Sequence, residues 1–267
     1  MGPRHQAILD YLDVHEEASY EVLASLLSTS TMTARRDVEA MAKQGFVLKT
    51  LGGTRLQQVP RSPLFESNIH ARIRDQREEK RAIALETPSL VAGCQSVFLD
   101  AGTTSVEAAK VLAAEVEGLN FITNSLLVCS ELSVGSKNRI TMLGGDLSFE
   151  SAAFAGLMTE ENAASLYYDV ALISTKGFVL EEGTFESSVE NFRVKQIVAP
   201  RAKKVVLLVD HSKFGLKALR KVLDITAIDC VVTDRGTGMD SIAALERQGI
   251  QVVVAGTRAS GFSKLPV

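Results

Sequence analysis

The sequence predicts a small winged helix-turn-helix domain over residues 1–57 and an α/β domain with a mainly parallel sheet over residues 75–267, joined by a linker and charged helix at 58–74. Three observations carry this. The first 57 residues hold three short amphipathic helical patterns and then a glycine-turned hairpin. Pro60 and Pro63 interrupt all periodicity. From Val97 onward, seven short apolar runs alternate with helical stretches. A chain of 267 residues with 46% hydrophobic content can bury cores of this size.

In order along the chain, Arg4 to Val14 places Ile8, Leu9 and Leu12 on one face, and Ser19 caps a second segment in which Val22, Leu23, Leu26 and Leu27 share a face. Ser28-Thr-Ser30 is a tight polar turn whose Ser30 hydroxyl can cap a third helix from about Thr31 to Gln44. Thr31, Thr33, Arg35 and Arg36 come early in it, and Val38, Met41 and Ala42 form its inward face. Gly45 ends it, and Phe46 to Thr50, the Gly52-Gly53 pair and Thr54 to Leu56 read as a two-stranded wing.

Net charge argues weakly here, with 29 basic against 32 acidic residues, but its distribution is informative. Between Arg35 and Arg55 the bases Arg35, Arg36, Lys43, Lys49 and Arg55 face only Asp37 and Glu39, so one face of the small domain is basic. Thr31, Thr33 and Arg35 can reach base edges or phosphates from a major groove, and Lys49 and Arg55 can neutralise the backbone from the wing. Arg36 and Asp37 are open to a second reading, an ion pair that holds helices together.

Phe65 to Glu86 reads as a charged helix, with Ile69, Ile73 and the bases Arg72, Arg74, Arg77, Lys80 and Arg81 between acids, that becomes buried at Ala82, Ile83, Ala84 and Leu85; its Arg cluster is a solvated face or, alternatively, a second DNA contact. The apolar runs that follow are Val97 to Leu99, Asn120 to Ile122, Arg139 to Leu143, Val170 to Ile173, Val205 to Val209, Cys230 to Val232 and Val252 to Val254. Six of them end in small or charged residues: Asp100-Ala-Gly-Thr-Thr104, Thr123-Asn124-Ser125, Gly144-Gly145-Asp146, Ser174-Thr-Lys-Gly177, Asp210-His-Ser-Lys213 and Thr233-Asp234. Ligands of open α/β sheets bind outside the carboxyl ends of the strands, so these termini are expected to line a pocket. Gly102, Thr103 and Thr104 lead into a helix and read either as a phosphate cradle, with Gly102 allowing a tight turn, or as an ordinary capped turn.

Other chemistries find little support. Cys94, Cys129 and Cys230 are odd in number and lie among small or apolar neighbours, which fits a reducing cytoplasm rather than a disulfide framework or zinc cluster. The four histidines, His5, His15, His70 and His211, are isolated, so no metal is expected. Neither a P-loop nor a dinucleotide fingerprint is present, no cofactor is expected, and no membrane-spanning run or signal-peptide core appears.

Ser30-Thr-Met-Thr-Ala-Arg-Arg-Asp-Val38, with Gly45 and Leu51-Gly-Gly-Thr54, resembles the DeoR family of bacterial transcriptional regulators. Ala34 stands where the family pattern has isoleucine, and Leu51 where it has histidine. The larger half resembles the family's effector domain, itself similar to ribose-5-phosphate isomerase and related folds, through Leu99 to Thr104, Thr123 to Ser125, Leu143 to Asp146, Gly156, Asp169, Gly183-Thr184, Glu190 with Lys195, Asp210 to Gly215 and Thr233-Asp234. The resemblance implies operator contacts from Ser30, Thr31, Thr33, Arg35, Arg36, Lys49, Gly52, Gly53 and Arg55. It also implies a sugar-phosphate pocket built from Asp100, Gly102, Thr103, Thr104, Asn124, Gly144, Gly145, Glu190, Lys195, Asp210 and Lys213. Thr103 and Thr104 would hold phosphate, Asn124 and Asp100 would bond hydroxyls, and Lys213 would add a point charge.

The related isomerases carry a dense carboxylate cluster where this chain has Ile173-Ser-Thr-Lys-Gly177, so the pocket is expected to bind without turnover. Lys176 is either an extra phosphate ligand or a solvated loop lysine. The expectation is a cytoplasmic, homo-oligomeric, DNA-binding repressor of carbohydrate-metabolism genes that responds to a phosphorylated sugar. A sugar-phosphate isomerase or transferase fused to a DNA-binding module is the alternative.

Overall fold

The structure, a computed structural model, describes residues 3–56, 69–134 and 137–256. Two compact units divide it, the first holding described residues 3–56 and 69–75, the second 76–134 and 137–256.

In the first unit α1 (Pro3–His15), α2 (Tyr20–Leu26) and α3 (Thr31–Lys43) enclose Ile8, Leu12, Leu23, Ala34, Val38 and Met41, all fully buried. The Ser19 and Ser30 hydroxyls cap α2 and α3 by accepting from the Val22 and Thr33 amides. Val22 and Leu26, expected inward, are exposed. A helix of seven residues buries only a narrow stripe, and here Leu23 and Ala24 occupy it.

The wing has three strands rather than two. β1 (Glu17–Ser19) joins β2 (Val47–Lys49) and β3 (Gly53–Leu56) in the order β1-β3-β2. Gly53 makes this possible, because a Cβ there would stand 2.0 Å from the Ala18 carbonyl oxygen. Helix α4 (Ile69–Arg74) belongs to this unit, and its Arg74 guanidinium donates to the Phe46 carbonyl at 2.6 Å. The single helix expected from Phe65 to Glu86 is therefore broken. Gln76 takes a left-handed φ of 51°, and α5 (Arg77–Leu85) starts anew after it.

The second unit continues with α6 (Thr87–Val91), β4 (Ser96–Leu99), α7 (Thr103–Glu115), β5 (Asn120–Thr123), α8 (Leu126–Leu132), β6 (Arg139–Met142), β7 (Asp146–Ser148), β8 (Ala153–Ala155) and α9 (Leu157–Ala164). Then come β9 (Tyr168–Ser174), β10 (Gly177–Val179), β11 (Gly183–Glu186), α10 (Val189–Val198), β12 (Ala202–Leu208), β13 (Arg220–Asp224), β14 (Cys230–Thr233), α11 (Met239–Arg247) and β15 (Gln251–Val254).

Among the described residues the seven apolar runs form one parallel sheet, in the order β15-β14-β12-β9-β4-β5-β6. Strand alternation sorts its faces. Val97 and Leu99 join α5, α7 and α8 in one core, while Phe98 turns to the other face with Tyr168 and residues of α9 and α10. Two small antiparallel sheets were not anticipated, the hairpin β7–β8 and the trio β10-β11-β13. Chain order runs from β4 outward through β5 to β6, then reverses through β9 toward β15, so the topological switch point lies between β4 and β9.

Candidate functional site

At the start of α3, Ser30 and Thr33 engage each other: the Thr33 amide donates to Ser30 Oγ at 3.2 Å, and the two hydroxyl oxygens lie 2.9 Å apart. Thr31, Arg35 and Arg36 are exposed. Asp37 is buried and turns to α1, where Arg4 Nε lies 3.3 Å and His5 Nε2 3.5 Å from its carboxylate, so it holds helices together without Arg36. Arg36 and the wing's Arg55 meet no acceptor among the described residues. Glu39 lies 3.6 Å from Arg35 Nε and 3.0 Å from Lys49 Nζ, and these contacts hold the Glu39 carboxyl below its ordinary pKa, the Lys49 hydrogen bond foremost. Gly52 accepts the Tyr20 amide through its carbonyl, and Gly53 is needed for the approach of β1. Glu39 thus ties Arg35 of α3 to Lys49 of the wing, whereas Arg55, paired in register with Leu48 and Glu17, lies on the other face of the wing sheet.

The sheet's carboxyl edge carries the second site. At the switch point, Asp100 Oδ2 accepts from the Ser174 hydroxyl (2.6 Å) and amide (3.1 Å) and from Lys195 Nζ (3.1 Å). Lys195 also donates to the Ser174 carbonyl at 2.8 Å and to Glu186 Oε1. All four side chains are buried. Burial alone would push the Lys195 pKa down, but Asp100 and Glu186 outweigh it and hold the value above normal. Asp100 Oδ1 takes no hydrogen bond among the described residues.

Gly102 precedes α7 with an ordinary extended backbone, φ −90°, so a tight turn is not its role. Its role is room, since a Cβ would stand 1.7 Å from Ser174 Oγ. It also leaves α7 without a side-chain cap, whereas Ser125 Oγ caps α8 by accepting from the Val128 amide. The first-turn amides of α7 and the Thr103 and Thr104 hydroxyls are therefore unengaged among the described residues, at the positive end of a 13-residue helix.

Beside this lies the end of β5. Asn124 Nδ2 donates to the Phe154 carbonyl of β8 at 3.0 Å, while its Oδ1 is buried without a partner among the described residues, as are the Ser105 and Ser151 hydroxyls. Gly145, at φ +145°, packs against Thr159 Oγ1 and the Ala155 carbonyl, and the Gly144 carbonyl accepts from Thr159 at 2.7 Å.

After β12, Asp210 caps a 3-10 turn by accepting from the Ser212 amide at 3.0 Å. Lys213 Nζ donates to Ser212 Oγ at 3.0 Å and lies 3.8 Å from Asp210 Oδ2. His211 is not isolated, because its amide and ring Nδ1 meet the Asp234 carboxylate at 2.7 and 2.8 Å. The side chain of Glu190, on α10, lies outside the described residues. Glu186 and Ser151 were not expected from the sequence, since neither sits at the end of an apolar run nor in a motif that carries the resemblance. A shallow cleft of about 300 Å³ lined by Val179, Leu180, Glu181, Phe214, Gly215 and Ser241 contains none of the expected effector residues.

Residues 4–58 match the DeoR-like helix-turn-helix domain, and residues 75–235 match the DeoR C terminal sensor domain. The chain belongs to the DeoR family. The HTH-type transcriptional repressor GlcR of Bacillus subtilis (strain 168) is 33% identical over 248 residues, covering 93% of this chain and 94% of that one. The glycerol-3-phosphate regulon repressor of Escherichia coli (strain K12) is 29% identical over 249 residues, 93% and 97% of the two chains. The putative aga operon transcriptional repressor of Escherichia coli O157:H7 is 25% identical over 253 residues, 95% and 93%. Among solved structures, ribose 5 phosphate isomerase A from Neisseria gonorrhoeae aligns at 15% identity and TM-score 0.41, over 54% of this chain and 56% of that one. Both departures from the DeoR recognition pattern have a clear place in the structure: Ala34 is wholly buried and Leu51 wholly exposed at the wing tip. Among the described residues, no helix of this DeoR-family chain is long and apolar enough to cross a membrane.

Proposed function

We propose that this DeoR-family protein is a cytoplasmic repressor of carbohydrate-metabolism genes whose operator affinity is set by a phosphorylated sugar bound at the carboxyl edge of the seven-stranded sheet. The observation that carries the effector half is the uncapped start of α7 at the switch point, where free amides and two free hydroxyls suit a phosphate. Asp100 Oδ1 and Asn124 Oδ1 supply acceptors for sugar hydroxyls. Lys213 stands two strands away from α7, about 10 Å at ordinary strand spacing, which suits it to the far end of a sugar phosphate or to a ligand spanning the two. That two relatives are named repressors of the aga operon and the glycerol-3-phosphate regulon supports repression.

Regulation requires that the ligand bind two conformations unequally. The test is a thermal-shift screen with ribose 5-phosphate, glucose 6-phosphate, fructose 6-phosphate and glycerol 3-phosphate, followed by promoter-fragment binding with and without any hit. A hit that shifts melting and changes DNA affinity is expected. Melting that stays unmoved by every phosphate, or DNA binding with no preference for the protein's own promoter region, overturns the reading. The protein acts as a homo-oligomer on repeated half-sites, and a monomeric mass in light scattering contradicts that.

One observation favours the enzyme alternative: Glu186 is a buried carboxylate at the site. It is tied to Lys195, which suits a fixed charge better than a mobile base. Isomerisation of a pentose or hexose phosphate, abolished by Glu186→Gln, would establish the alternative instead.

A further inference from the structure

The outward surface of α3 shows which side chains are left to read sequence. Ser30 and Thr33 satisfy each other at the cap, Ala34, Asp37 and Val38 are buried, and Arg35 lies beside Glu39 with its guanidinium 5.9 Å from the Tyr20 ring centroid. What remains at the start of the helix is Thr31, Met32 and Arg36. Met32 is 61% exposed, an unbranched apolar side chain standing between a hydroxyl and arginines on the basic face. The helix core does not need it there, since α3 packs inward through Ala34, Val38 and Met41.

A duplex groove is polar almost everywhere, and the exception in the major groove is the C5-methyl group of thymine. Arg36, exposed on the same helix and unpaired among the described residues, provides charge that brings the phosphate backbone to this face. We propose that Met32 is a specificity-determining residue that reads a thymine in each half-site through its C5-methyl group. The inference rests on DNA binding by α3, and its test separates the two.

The full-length protein is first used to enrich its preferred site from a random duplex pool. Each thymine of that site is then replaced in turn by deoxyuridine, which lacks only the methyl group. At one thymine per half-site the wild-type Kd is expected to rise about 4-fold, the worth of one buried methyl. Met32→Ala is expected to bind the thymine and deoxyuridine sites alike, with the wild-type salt dependence, because phosphate contacts are untouched. Met32→Leu and Leu51→Ala are expected to keep the discrimination. Unchanged circular dichroism of Met32→Ala confirms that the helix persists. Deoxyuridine tolerated at every position by the wild type, or discrimination retained by Met32→Ala, overturns the proposal while leaving DNA binding intact. A pool that yields no preferred site overturns both.

Discussion

Lys195 Nζ lies 3.1 Å from Asp100 Oδ2, with both side chains at most 4% exposed, and this contact joins α10 to the end of β4. Glu186 at the end of β11 closes the cluster, so one ammonium sits among two carboxylates. The excess negative charge keeps Lys195 protonated. It also fixes the Ser174 loop, through a carbonyl that accepts from the same ammonium.

Lys195→Met should therefore leave two buried carboxylates unpaired and cost about 3–5 kcal/mol in urea unfolding at pH 7. The folded pKa of Lys195 is raised, so its contribution is complete below the unfolded value of about 10.4 and is lost as pH rises through the folded value. Above pH 10 the gap between wild type and variant should narrow. A loss under about 1 kcal/mol would show that the cluster is not what holds the switch point together.

Gly102→Ala places a methyl group 1.7 Å from Ser174 Oγ. The loop must shift, at a cost of about 1–3 kcal/mol, and the α7 amides shift with it. Stabilisation by an effector phosphate is expected to fall in a thermal-shift assay while DNA binding without effector persists.

Asp169 accepts from Lys203 Nζ (2.8 Å) and from the Gln95 and Ser96 amides (2.8 and 3.0 Å), and these bonds, that of Lys203 foremost, hold its carboxyl well below the usual carboxylate range. A depressed folded pKa contributes stability that is complete above the unfolded value of about 3.9 and is lost as pH falls toward the folded one. Asp169→Asn should lower the urea midpoint at pH 7, and the difference should shrink steadily below pH 4.

Glu39→Gln removes the carboxylate shared by Arg35 and Lys49. With two cations released and one negative charge gone from the surface proposed to face DNA, operator affinity at low salt should rise about 3- to 10-fold, and log Kd should depend more steeply on log salt. Fluorescence anisotropy across a salt series reads both effects.

The five inner strands of the parallel sheet were legible because they are buried on both faces and so appear as apolar runs, while the edge strands β6 and β15, partly exposed, were legible from the alternation with helices. The caps at Ser19 and Ser30 were legible because their chemistry is local. Strand β1 was not, since Glu17-Ala18-Ser19 has no strand character of its own and forms only where Gly53 lets the wing approach. β11 is similar: four residues, Gly183 to Glu186, that pair with β10 and β13 and carry Glu186 to Lys195 from nine positions away in sequence. Nothing in the spacing announces that pair, because a cross-element ion pair depends on how α10 docks. His211 looked solitary for the same reason, as Asp234 reaches it from the neighbouring strand end.

Two helices begin side by side at the edge of the sheet, α8 closed by its own serine and α7 left open by Gly102. With glycine rather than serine at the cap, roughly a few tenths of a kcal/mol of helix stability is forgone. On the effector reading proposed above, an anion seated on those amides takes the place of the side-chain cap that Gly102 does not provide, so the ligand completes the first turn of the helix that holds it and occupancy is registered as order there.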